Sequence, residues 1–131
     1  MVDVPLTTNL LALPYSILVV EVFTNEDWND ALAFYDNDGK ALDLSGIAFS
    51  MEARHAVGDA TALISITNNP HDDTTGGQIV ISGNEFHINV PLSKMSRVPW
   101  GSYVFDAVGT AQGLQRVVFT GTMRVIEGVT R

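Results

Sequence analysis

Strict two-residue alternation of apolar and polar side chains is the feature that most narrows what this chain can become. Between residues 47 and 54, Ile47, Phe49, Met51 and Ala53 fall on one side, and Ala48, Ser50, Glu52 and Arg54 on the other. That period places successive side chains on opposite faces of a strand, one buried and one wet. The pattern recurs in Glu85 to Val90, with Phe86, Ile88 and Val90 inward and Glu85, His87 and Asn89 outward, and Gln78 to Ser82 precedes it across Gly83-Asn84. This dipeptide suits a tight hairpin turn. A second hairpin is expected at the C-terminal end. Tyr103, Phe105 and Ala107 alternate up to the turn Thr110-Ala111-Gln112-Gly113, and Val117, Phe119, Gly121, Met123 and Val125 form the inward row after it.

Further strands are expected in Ile17 to Phe23, read as largely buried, in Asp30 to Tyr35, and in Leu63 to Thr67. Asp36-Asn37-Asp38-Gly39 is the turn that sends the chain back through Ala41 to Leu44. No stretch keeps a 3.6-residue period for three turns, and Pro91 to Pro99 has room for one helical turn at most. Seven to eight short strands punctuated by Gly, Asn, Asp and Pro, in 131 residues, predict an all-β chain folded as one domain of two packed antiparallel sheets. Trp100-Gly101-Ser102-Tyr103 narrows this to an immunoglobulin-like sandwich. A tyrosine there, opening a late strand just after a corner, can bond its hydroxyl back to the corner backbone. The alternative at this position is an ordinary core tyrosine. The domain is expected over residues 17–131, with residues 1–16 as an amino-terminal arm.

With 46% hydrophobic and 17% charged residues, the chain can bury enough apolar surface to offset its ordering entropy. A net charge of -8 speaks against nucleic acid as a partner, because phosphate backbones are held by clustered basic residues. Zero cysteines exclude disulfides, thiolate zinc sites and cysteine nucleophiles. The start of the chain lacks the basic n-region of a signal peptide, and its longest apolar run, Ile17 to Val20, is too short to span a bilayer, so no membrane is expected either.

Chemistry has few footholds. Glu21, Glu26, Asp27, Asp30, Asp36, Asp38 and Asp43 share a stretch with one base, Lys40. Asp36-Asn37-Asp38-Gly39 resembles the middle of a calcium loop, but aligning Gly39 with the loop glycine puts Phe34 and Ser45 where the first and last ligands must stand. A solvated acidic face is the expectation. His55, His71 and His87 are scattered without metal-ligand spacing, and no G-x-S-x-G elbow occurs. The expectation is therefore no enzyme, no cofactor and no metal.

That leaves surfaces. Trp28 lies in the hydrophilic run Asn25 to Asp30, so it either caps one end of the core or stands partly exposed as a binding residue, and Trp100 is the second such candidate. The arm carries Leu6, Leu10, Leu11 and Leu13 between Pro5 and Pro14 without alternation. These leucines pack either on a neighbouring subunit or on their own sandwich.

Glu26-Asp27-Trp28, then Phe34 to Gly39, Leu42-Asp43-Leu44-Ser45-Gly46, the alternating strand ending at Arg54, and Val98 to Asp106 together resemble small β-sandwich proteins of tailed bacteriophages and prophages. They are similar in particular to the amino-terminal domain of baseplate upper proteins. The likeness covers about Val19 to Glu127, and Thr24-Asn25 departs from it where a charged or glycine-containing stretch is usual. It implies a virion structural or adaptor protein of a tail, baseplate or connector, made in the bacterial cytoplasm. Such a protein would be repeated as a homo-oligomer and would contact other virion proteins. A small module binding carbohydrate or a host surface is the alternative.

Overall fold

The computed structural model describes residues 10, 13–72 and 74–130 of the chain. In chain order the strands are β1 (Ser16–Phe23), β2 (Trp28–Ala33), β3 (Ala48–Arg54), β4 (Ile64–Thr67), β5 (Gln78–Ser82) and β6 (Glu85–Val90). A single helical turn, α1 (Leu92–Met95), leads to β7 (Gly101–Ala111) and β8 (Leu114–Ile126). They form a five-stranded sheet in the order β1-β8-β7-β3-β4 and a three-stranded sheet in the order β2-β6-β5. Strands β2 to β8 thereby take the B, C, C′, D, E, F and G places of an immunoglobulin-like sandwich, with B-E-D facing G-F-C-C′. The first strand departs from the constant-type order by joining the last one, and it pairs with β8 in parallel from Ser16↔Phe119 to Phe23↔Ile126. The sandwich is otherwise antiparallel.

The core lies between the two sheets and is filled by the inward rows of the alternating strands. Phe49, Met51, Phe86, Ile88, Phe105, Phe119 and Val125 are all buried. Phe86 is its hub, meeting Phe49 at 5.1 Å and Phe119 at 5.3 Å edge to face, so that one aromatic of the smaller sheet touches two strands of the larger. The corner also forms: the Tyr103 hydroxyl donates to the Pro99 carbonyl at the start of β7. Burial pushes the Tyr103 phenol up from its ordinary pKa. Phe105, two residues on, occupies the place where antibody domains carry their second cysteine.

Both hairpin turns form where the sequence places them: the β5–β6 turn has a positive φ at Gly83 only, the arrangement of a type II′ turn, whereas Gln112 and Gly113 both turn positive in the β7–β8 hairpin, as type I′ requires. Other expectations need correction. In β8 the inward row does not run back to Val117. A bulge sets Ala107 opposite Phe119 and Val108 opposite Val117, leaving Val118 as the extra residue. Val118 is consequently buried and Val117 exposed. The second strand begins at Trp28 instead of Asp30, and Tyr35 makes only an isolated bridge to Ala41. Strand β1 is not largely buried: Ile17 is 73% and Val19 80% exposed, because β1 ends its sheet and only Leu18, Val20 and Val22 turn toward the core.

Of the two readings of the arm leucines, Leu10 and Leu13 take packing on their own sandwich. Leu10 and Leu13 are buried in the sandwich's own core, so the domain's packing begins before residue 17 and these two side chains are closed to a neighbour. Gly109 makes the space: a Cβ there would stand 3.0 Å from Leu10 Cδ1 and 3.2 Å from Ile47 Cγ2. Leu6 and Leu11 lie outside the described residues.

Candidate interaction surface

The acidic segment is arranged around its own backbone. The Asp36 carboxylate accepts the amides of Asp38 at 2.8 Å and Lys40 at 2.9 Å, closing the turn that Gly39 completes at φ +82°. Asp43 accepts the Ser45 amide at 3.0 Å, and hydrogen bonds from Ser45 hold its carboxyl below the usual range. Asp27 reaches the Leu92 amide at 2.5 Å and ties the entry to β2 onto the start of α1. Each of these carboxylates has a structural task legible in local geometry. Among the described residues, no three His, Asp or Glu side chains converge as metal ligands. The histidines are dispersed: His55 stacks on the Tyr103 ring at 4.5 Å, and His87 meets Glu85 at 3.1 Å.

The two tryptophans part company. Trp28 is buried, and its indole Nε1 donates to Asp30 Oδ2 at 2.6 Å, so the hydrophilic run around it marks a covered ring and not a binding residue. An indole that finds its one acceptor two residues away can cap the core without losing a hydrogen bond. Trp100 is 70% exposed. It stands ahead of Gly101, whose φ of +144° starts β7 in a conformation that side-chain-bearing residues avoid. A shallow concavity of about 630 Å³ lies beside it, with Ser102, Arg124, Ile126 and Glu127 on its walls.

The other exposed apolar feature is β1, which sequence reading placed inside. Its outward row of Ile17, Val19, Glu21 and Phe23 carries one charge, and among the described residues the strand's outer edge has no neighbour in the sheet. Behind β1 the packing is incomplete. The larger sheet overhangs the smaller, and a crevice of about 180 Å³ opens among Leu18, Val20, Trp28, Leu32, Ile88 and Phe105. Ile17-Leu18-Val19-Val20 is apolar on both faces, a pattern shared by central buried strands and unprotected edges. Only the pairing partner tells them apart, and no local signal supplied it.

The chain matches no protein-family model and no curated protein. What defines it is an immunoglobulin-like sandwich bearing an open apolar edge and one exposed tryptophan.

Proposed function

We propose that the protein is a non-enzymatic structural or adaptor component of a tailed-bacteriophage virion, in its tail, baseplate or connector, working through repeated protein contacts. The observation that carries this reading is β1, an eight-residue edge strand with Ile17 and Val19 turned to solvent. Edges of this kind pair with other chains unless they are blunted, so a protein that keeps one has a use for it. The phage-like turn and corner motifs agree with that use. Purifying tailed particles from the source bacterium on a density gradient, followed by mass spectrometry, tests it. The chain should co-sediment with particles in stoichiometric amount, and finding it only in the soluble fraction overturns the proposal.

Trp100, on the wall of that concavity with Arg124 and Glu127, favours the second reading, a module for carbohydrate or a host surface. With Trp28 buried, that reading rests on one ring. Because Trp100 is the exposed member of two tryptophans, glycan binding would change the emission of the isolated chain, and Trp100→Ala would abolish the change.

A further inference from the structure

Strand β1 is the longest of the four strands that end the two sheets, against six residues in β2, five in β5 and four in β4. Within its own residues it lacks three devices that protect an edge: it has no lysine, no proline and no charge pointing inward, since Glu21 lies on the exposed face. Its outward row is compatible with its own image. Turned antiparallel about an axis through Val19, residues 16–22 of one copy face 22–16 of another. Val19 then meets Val19, Tyr15 meets Phe23, Ile17 meets Glu21, and the two Glu21 carboxylates are kept four residues out of register with each other. Tyr15 is exposed and anchored on β8 by a 2.6 Å hydrogen bond to Thr120, so it is held at the strand's entrance. Glu21 has Arg124, a residue of opposite charge, as its pairing neighbour on β8.

We infer that two copies of this chain join through β1, antiparallel and centred on Val19, to make a continuous ten-stranded sheet from their two five-stranded ones. A seven-residue ladder is about 23 Å long. It covers far less than the roughly 800 Å² per partner that a stable dimer buries. The pair is therefore weak in dilute solution and forms where copies are already held close together, as in a ring or stack. The inference rests on the assembly reading for that setting, and its test does not depend on particles.

The chain has no cysteine, so a single introduced thiol reports one contact. Opposed antiparallel residues have Cα atoms about 4.5–5.5 Å apart, within disulfide reach. Residues four places out of register are separated by about 13 Å along the strand. Under mild oxidation, Val19→Cys should form a dimer about tenfold or more faster than Val57→Cys, an equally exposed valine in the loop between β3 and β4. Ile17→Cys and Glu21→Cys should each stay monomeric alone and cross-link when mixed. Equal rates at positions 19 and 57, or dimers of Ile17→Cys alone, would overturn the inference. If Val19→Cys behaves as expected but the chain is absent from particles, only the virion reading falls. A chain present in particles whose Val19→Cys variant does not cross-link has the opposite meaning: the edge then serves a different protein.

Discussion

The two flanks of the sandwich end in different ways. On one, β4 stops after four residues, and Asn68 takes over from the strand. Its Oδ1 accepts the Phe49 amide at 2.8 Å, and its Nδ2 donates to the Ile47 carbonyl at 2.9 Å, so one side chain does for β3 what another residue of β4 would have done. Strand β5 approaches β4 across the sheets and closes that side. On the other flank, β1 runs eight residues with no described residue paired beyond it, and a crevice separates it from the strands behind. Both strands end the same sheet. The closed flank is made by a polar side chain satisfying backbone groups, and the open one has apolar residues at the corresponding margin. Edge protection is thus a local property of the residues near the strand end, not of the sheet.

The comparison assumes that both flanks hang on one shared core, and breaking that core should affect them together. Phe119→Ala removes a fully buried ring packed on Phe86 and Phe105 and should cost about 3–5 kcal/mol. Urea unfolding should show the loss as a single transition. Leu10→Ala should cost about 2–5 kcal/mol in the same assay, since this leucine is core despite its place in the arm. A change within a few tenths of a kcal/mol would return Leu10 to the surface.

Two substitutions separate the flanks. Asn68→Ala leaves the Phe49 amide and the Ile47 carbonyl without their side-chain partner, a loss of about 1–3 kcal/mol, and hydrogen exchange should quicken in β3 and β4 while β1 is unaffected. Gly121→Ala acts on the open side. A Cβ there would press on the Leu18 carbonyl and the Phe105 ring, so β1 should loosen on β8, at about 1–3 kcal/mol, with faster exchange confined to β1 and β8. Exchange that spread evenly over both flanks in either variant would show that they are not independent.

The smallest expected effect is on pH dependence, and it concerns neither flank. With the Tyr103 phenol pushed up by burial, the unfolded chain ionises first as pH rises. The stability due to this group is whole below the ordinary tyrosine pKa and is lost as the pH climbs toward the raised folded value. Stability should decline above about pH 10, and Tyr103→Phe should flatten that decline. An unchanged slope would mean that other groups set the alkaline limb.

Where alternation was clean, the strands were legible: β3, β5 and β6 begin and end close to their patterns, because one face is wet and a shift of one residue would turn the whole row outward. Tyr103 could be placed at its corner for a similar reason, since the turn and the strand phase fix it together. The Val117/Val118 exchange was hidden because a bulge adds one residue without any change in composition. Trp28 takes the core-capping one of its two readings, its neighbours' polarity reflecting a strand entrance and not the environment of the ring. Leu10 needed Gly109, a residue nearly a hundred positions away, to make its pocket. The surface features were the least legible, for exposure of β1 is decided by which strand stands beside it.

The parallel pairing of β1 with β8 also sets an order of events in time. Tyr15 and Thr120 are 105 residues apart along the chain, and β8 is made after the other described strands. At about 5–20 residues per second, β1 waits on the order of 5–20 s for β8, its sheet neighbour among the described residues. Throughout that interval β1 lacks the ladder that fixes it to the larger sheet. The strand that opens the described fold is thus the one whose pairing completes it.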